Sequence, residues 1–273
     1  MIENIKILGT HHYPIHKFTQ HGLHKVDDVV AVETPLLIKL KLPDNSIENL
    51  VITMHTPGHN EDLVRGFLYT EGIINNPDQI VSIQNGEAEM LVQLNQAPQH
   101  LAARNTVSTA ACGMCGKTSL DAIKLVRDFN LQQYQYQIAP ETILKFSDKV
   151  RAAQVLFEST GGIHAAALFD CSGELISLRE DIGRHNAVDK TIGSMLQNEL
   201  SAHEVILFVS GRAGFELVQK SIVSGITMMI AVGAPSSLAV DYATKYGMTL
   251  IGFMQATRFN IYSHSERLIL EKN

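Results

Sequence analysis

The chain has 273 residues, of which 45% are apolar and 18% charged, with a formal net charge of −6. That length allows one large domain or two modest ones with a substantial core, and the composition excludes a disordered polymer. The acidic balance argues against a general nucleic-acid coat, because phosphate binding draws on Lys and Arg, yet it leaves room for a small anion held locally.

The opening residues, Met1-Ile2-Glu3-Asn4-Ile5-Lys6, lack the apolar core of a signal peptide. No apolar run approaches the roughly 20 residues that span a bilayer, so a soluble, cytoplasmic protein away from membranes is expected. Strand-like runs at 29–42 and 47–55 flank a Pro43-Asp44-Asn45 turn. A helix follows, with Asn60 as its cap, Glu61 and Asp62 in its first turn, Leu63, Val64, Phe67 and Leu68 on one face, and Gly72 near its end. Short strands near 79–83 and 88–94 complete a β-rich first part.

Beyond it, Thr109-Ala110-Ala111-Cys112-Gly113-Met114-Cys115-Gly116 leads toward a helix expected from Lys117–Ser119 onward. The Gln-rich 132–137 segment reads as a surface connection. Ile143, Phe146, Val150, Ala153 and Phe157 form one helical stripe, and strands at 163–169 and 174–178 enclose a Cys171-Ser172-Gly173 turn. Helices carrying Val188, Ile192 and Met195, then Phe215, Val218 and Ile222, then Leu238, Tyr242 and Tyr246 alternate with strands at 205–209, 227–232 and 248–253. This alternation predicts an α/β arrangement with a mostly parallel, helix-covered sheet. The domain boundary is placed at 107, giving a β-rich N-terminal domain over 1–107 and an α/β/α domain over 108–273. No internal repeat is visible.

The chemistry concentrates in the cysteine loop. Three cysteines, Cys112, Cys115 and Cys171, fit no disulfide framework, and a close pair in a reducing compartment is more often catalytic or metal-binding. A helix N-terminus and Lys117 would favour a thiolate, and a thiolate can carry sulfur as a persulfide. The same spacing also serves half a zinc site completed by Cys171 or a histidine, a dithiol–disulfide couple, or inert packing. A zinc deaminase would pair Cys-x-x-Cys with His-x-Glu, but His164 is followed by Ala165-Ala166, and the order of the elements is reversed.

Two strand-to-helix turns, Ser210-Gly211-Arg212-Ala213-Gly214 and Gly233-Ala234-Pro235-Ser236-Ser237, have the form of anion sites, with ordinary Ser-capped turns as the plainer reading. Arg212 adds a fixed cationic fork. The stretch Arg179-Glu180-Asp181-Ile182-Gly183-Arg184-His185-Asn186 reads either as a surface charge network or as a polar ligand site.

Several of these segments together resemble the FdhD family of formate dehydrogenase accessory sulfurtransferases. They include Met54-x-Thr56-Pro57, Gly66-Phe67-Leu68-x-x-Glu71-Gly72-Ile73-Ile74, the Cys112–Gly116 loop with Lys117, and Thr160-Gly161-Gly162-Ile163-His164. The string from Glu180 to Lys190 is the most specific, joined by Ser210-Gly211-Arg212, Ala234-Pro235, Thr249-Leu250-x-Gly252-Phe253 and Arg258-Phe259-Asn260-x-Tyr262.

The resemblance implies sulfur accepted from a cysteine desulfurase and passed to the molybdenum (or tungsten) bis-guanine-dinucleotide cofactor before its insertion into formate dehydrogenase. It implies a C-terminal fold resembling the cytidine deaminases, Cys112 as the persulfide-bearing residue and Cys115 as the assisting thiol, and no structural metal. The cofactor contact segment of the family maps onto Phe253, Met254, Gln255, Ala256, Thr257 and Arg258, with Arg212 beside it. The paired halves of such a cofactor would suit a two-fold homodimer. Three positions depart from the pattern: Gly214 and Gly233 where serine is usual, and Gln255 where a basic residue is usual.

Overall fold

A computed structural model describes residues 7–98, 107–108, 130–134 and 136–270. Cys112, Cys115 and the helix expected after them lie outside the described residues.

Strands β1 (Thr10–Thr19) and β2 (Gly22–Ala31) form a two-stranded antiparallel ribbon of their own. The single run expected over 29–42 therefore divides, ending β2 at Ala31 and restarting as β3 (Thr34–Lys41). β3 alternates buried and half-buried residues, as a strand with one face in a core must. It pairs antiparallel with β4 (Ile47–His55) and parallel with β6 (Glu89–Leu94). With β5 (Ile80–Asn85) and β7 (Val107–Ser108) they make a five-stranded sheet in the order β5-β6-β3-β4-β7.

Helix α1 (Asn60–Thr70) covers this sheet, and Leu63, Val64 and Leu68 bury against Leu36, Ile38, Leu40, Met90 and Val92. Its cap is His59 in the left-handed region, not Asn60. The Asn60 carboxamide oxygen accepts from Gly58 N at 3.3 Å and lies 3.2 Å from His55 Nε2, so it braces the approach to the helix.

The second sheet has six strands in the order β13-β12-β11-β10-β8-β9. These are β8 (His164–Asp170), β9 (Leu175–Asp181), β10 (Val205–Val209), β11 (Met228–Ala231), β12 (Thr249–Gln255) and β13 (Arg258–Ser263). Only β10–β11 and β11–β12 are parallel. The expectation of a mostly parallel sheet is thus corrected. β8–β9 and β12–β13 are hairpins, antiparallel by construction, and β8 runs against β10.

Helices α5 (Arg184–Gln197), α6 (Phe215–Val223) and α7 (Ser237–Tyr246) supply one buried layer, with Val188, Ile192, Leu217, Val218 and Ala243 packed on Leu207, Met229 and Leu250. On the opposite face, Ile143, Phe146 and Val150 pack on Phe169, Phe208 and Ile230. The single helical stripe expected there is broken into α2 (Pro140–Ile143), α3 (Phe146–Ala153) and α4 (Val155–Thr160), with Gln154 at the joint. The described part of the Gln-rich 132–137 segment runs at the surface, with Gln132, Gln133 and Gln137 exposed, and its flanks tie it down. Leu131 is buried, and Arg267 donates to the carbonyls of Leu131 at 2.6 Å and Tyr134 at 3.3 Å.

The two sheets meet where α1 crosses α5. A Cβ on Gly66 would lie 2.7 Å from the Asp189 carbonyl carbon, and one on Gly193 would lie 2.6 Å from that of Asp62. Only glycines let the two backbones approach so closely. Polar groups fill the rest of the joint. Asp181, fully buried, pairs with Lys190 Nζ at 2.8 Å and accepts from Thr56 N, Gly183 N and Asn186 Nδ2. Lys190 also donates to Thr56 O at 2.8 Å, and Asn186 Nδ2 to Met54 O at 2.7 Å. Arg179 pairs with Asp62 at 2.7 Å, and Lys220 with Asp189 at 2.9 Å and Glu71 at 3.1 Å.

Candidate functional site

Much of the Arg179–Lys190 stretch is therefore neither a surface charge network nor a ligand pocket. Glu180, Asp181, Asn186, Asp189 and Lys190 are buried and committed to joining the sheets, and Glu180 also accepts from the amides of Leu156 and Phe157 at 2.8 Å, anchoring α4. Burial drives the Lys190 pKa down, and the Asp181 carboxylate opposes that. Burial likewise pushes Lys220 down, but Asp189 and Glu71 more than reverse it, so its ammonium is held charged.

What stays open lies at the carboxyl ends of β10 and β11, where α/β sheets characteristically bind ligands. The turn after β10 and the turn after β11 are stitched together. Gly233 N donates to Gly211 O at 2.9 Å, Ser236 N to Ala213 O at 3.1 Å, and Phe253 N to Gly233 O at 3.1 Å. A Cβ on Gly233 would sit 2.9 Å from Arg212 Cγ and 3.0 Å from its Cα. Gly233 thus allows the two turns to touch. Ser236 caps α7 by accepting from Ala239 N at 3.3 Å, so this turn has the plainer Ser-capped form. α6 is capped by Gly214 without a side chain, while Ser210 turns back to accept from Ala165 N at 2.9 Å.

Around these turns runs a chain of neighbours. His164 Nδ1 and Arg184 Cδ lie 3.5 Å and 3.9 Å from the Cβ position of Gly211. Arg212 adjoins Gly233, and Phe253, in the left-handed region and 44% exposed, follows. Gln255 and Arg258 close the β12–β13 hairpin, joined by an Arg258 Nε to Gln255 Oε1 bond of 2.9 Å. Gln255, Ala256, Thr257 and Arg258 are exposed; Met254 instead turns into the core beneath the sheet. Among the described residues, Arg184, Arg212 and Arg258 form no ion pair. Three cations without carboxylate partners beside paired helix-start turns are equipped to hold phosphates.

A cleft of about 560 Å³ adjoins this row, walled by Phe157, Ile163, Phe208 and Val232 and edged by Ser147, Gln154, His164 and Ser210. Gln154 Nε2 and Ser147 Oγ are buried without a hydrogen-bond partner among the described residues, which costs about 1–3 kcal/mol each unless something else satisfies them. Burial, then the charge of Arg184 and the proximity of His185, hold the His164 pKa below its ordinary value, so a neutral imidazole faces the cleft. Sequence reasoning missed Ser147 and Gln154, which carry no motif. His185, in the first turn of α5, instead bonds Glu216 of α6 at 2.7 Å.

Cys171 stands apart. It lies just beyond the Asp170 end of β8, and His164 at the start, so about 20 Å of strand separates them and they cannot complete one tetrahedral site together. Burial and the nearby Asp170 and Glu204 raise its thiol pKa, which disfavours the thiolate. Among the described residues no group of three His, Cys, Asp or Glu side chains is arranged to hold a metal ion. No helix among them is long and apolar enough to cross a membrane. β7, which ends four residues before Cys112, runs parallel to β4 with Ser108 beside Thr53.

Comparison with known proteins adds to this geometry. The model of the FdhD/NarQ family matches residues 31–269. The chain is 42% identical over 263 residues to the Sulfur carrier protein FdhD of Nocardia farcinica, covering 92% of each chain. It is 44% identical over 247 residues to the protein of the same name from Picrophilus torridus, covering 89% of this chain and 93% of that one. A crystal structure described as a formate dehydrogenase accessory protein from Desulfotalea psychrophila superposes with a TM-score of 0.75 at 24% identity, over 95% of this chain and 99% of that one. This last likeness is one of fold.

Proposed function

The chain belongs to the FdhD/NarQ family, and on that premise we propose that it is a sulfur carrier that serves the maturation of formate dehydrogenase. The observation that carries this reading is the extent of the match. Relatives named Sulfur carrier protein FdhD align over about nine-tenths of the chain, in a family match whose span includes Cys112 and Cys115.

In this reading the Cys112 thiolate attacks the outer sulfur of a cysteine desulfurase persulfide. A new S–S bond forms at Cys112, the donor's S–S bond breaks, and the donor cysteine leaves as its thiolate. Cys115 assists by receiving or returning a proton or by resolving the persulfide. The acceptor substrate is the molybdenum (or tungsten) bis-guanine-dinucleotide cofactor. Arg184, Arg212 and Arg258 are suited to its phosphates, and the Phe253–Arg258 hairpin end and the strand-end turns to its approach. The orphan amide of Gln154 gives the adjoining cleft a donor for a flat heterocyclic edge.

Incubating the protein with a desulfurase and cysteine should load sulfur that cyanide releases as thiocyanate, and Cys112→Ala should abolish it. Loading of Cys112→Ala at the wild-type level would remove Cys112 from the mechanism. A second reading, a cofactor-holding chaperone without covalent transfer, is favoured by the three free cations alone. It predicts that replacing both cysteines leaves formate dehydrogenase maturation intact.

A further inference from the structure

Helices α5 and α6 are tied together twice, one turn apart. The deeper tie is Asp189 to Lys220 at 2.9 Å, and Lys220 there also bonds Thr70 at 2.9 Å and Glu71 at 3.1 Å, so it serves the joint with α1. The outer tie is His185 to Glu216 at 2.7 Å, each the second residue of its helix. A carboxylate only accepts, so His185 Nε2 donates to Glu216, and the start of α6 favours that negative charge. His185 Nδ1, across the ring, is buried without a hydrogen-bond partner among the described residues. An apolar side chain filling the same space would avoid that cost, so packing alone does not account for a histidine here.

The outer tie sits beside the open site. Arg184 is the first residue of α5, and its Cδ lies 3.9 Å from the Cβ position of Gly211, in the turn that leads into α6. Arg212 is the next residue of that turn. Two arginines without carboxylate partners among the described residues thus flank one turn, one carried by α5 and the other by the approach to α6. Their spacing depends on how the two helix starts meet. Asp189 and Lys220 lie four residues on, about 6 Å further along the helices, and leave the starts free to splay about them. The bond between His185 and Glu216 removes that freedom.

We propose that His185 is a positioning residue of the strand-end site: by holding Glu216 it fixes Arg184 against Arg212 at a spacing suited to two linked phosphates. The inference rests on the reading of these arginines as phosphate-binding, and the test separates the two. The probes are guanosine diphosphate and guanosine monophosphate, titrated into the full chain. A diphosphate engages both arginines and a single phosphate only one, so the wild-type protein should prefer the diphosphate. His185→Leu should weaken the diphosphate by about tenfold and leave the monophosphate within about twofold. His185→Gln, whose amide nitrogen still reaches Glu216 as a donor, should restore most of the diphosphate affinity. Glu216→Ala should repeat the loss from the other side, and it decides the matter if His185→Leu does not fold. Equal weakening of both nucleotides is what a merely structural role predicts, and it would overturn the proposal. So would an unchanged preference for the diphosphate in these variants while Arg212→Glu loses it, a result that leaves the phosphate reading standing. A wild-type protein without that preference would overturn the phosphate reading and the positioning role with it.

Discussion

Replacing Gly193 by alanine sets two effects of known size against each other. In an exposed helix the change would stabilise by about 1 kcal/mol, because alanine restricts the unfolded chain and favours helix. At the α1–α5 crossing the added Cβ would stand 2.6 Å from the Asp62 carbonyl carbon and 2.9 Å from its Cα. These are backbone atoms of a packed helix and cannot swing aside, so the helices must separate. Overpacking of this kind costs about 1–3 kcal/mol. Separation also strains two cationic bridges between these helices: Arg179, which bonds Asp62 of α1 at 2.7 Å and Ser194 of α5 at 3.0 Å, and Lys220, which bonds Thr70 of α1 and Asp189 of α5, both at 2.9 Å. A net loss of about 2 kcal/mol follows from combining the helix gain with the packing cost and the strained pairs. Urea unfolding should show a lower midpoint with an unchanged slope. A neutral or more stable Gly193→Ala protein would refute the close crossing.

Lys190→Met leaves the Asp181 carboxylate buried without its cation and should cost about 3 kcal/mol, the low end for a broken buried pair because three other donors still serve Asp181. Adding Asp181→Asn should recover part of that loss in a double-mutant cycle, and strictly additive losses would contradict the pairing. Burial holds His55, His59 and His164 below the ordinary histidine pKa. Their neutral forms are therefore favoured in the folded state, so stability is full above about pH 6.5 and falls as pH drops from there toward their folded pKa values. Urea midpoints that stay level or rise over that window would count against this. With guanosine diphosphate as a probe of the cofactor's nucleotide end, Arg212→Glu or Arg258→Glu should weaken binding by about tenfold or more, and added salt should narrow the gap. Equal affinity in both variants would remove these cations from the site.

The parts of the fold that could be read from sequence are those in which one face is buried. Leu63, Val64 and Leu68 mark α1 because their spacing is that of a helix with a core beneath it. β1 escaped because an exposed ribbon has no apolar face, so the alternation of His11, His12, Tyr13 and Lys17 carries no signal. The breaks after Ile143 and at Gln154 escaped because Ile143, Phe146, Val150, Ala153 and Phe157 keep near-helical spacing across three adjacent short helices.

The Glu180–Lys190 string stands out as polar in sequence, yet its purpose is set by partners more than 120 residues away. Asp181 bonds Thr56, and Asn186 bonds the carbonyl of Met54. Polarity does not distinguish a ligand site from a buried joint without those partners. Arg258 is pointed to only by the family resemblance, whereas Arg212 could be placed for the opposite reason, because a glycine-rich turn after an apolar strand has a local signature. Gln154 and Ser147 have none, since their interest lies in donors that burial leaves unsatisfied.

The central claim is that Cys112 carries the sulfur. The most direct measurement is the intact mass of the protein after reaction with a cysteine desulfurase and cysteine, followed by peptide mapping without reductant. One added sulfur atom located on Cys112, absent from Cys112→Ala and present in Cys171→Ala, is the result expected. A protein of unchanged mass, or an added sulfur found on Cys171, would contradict the account.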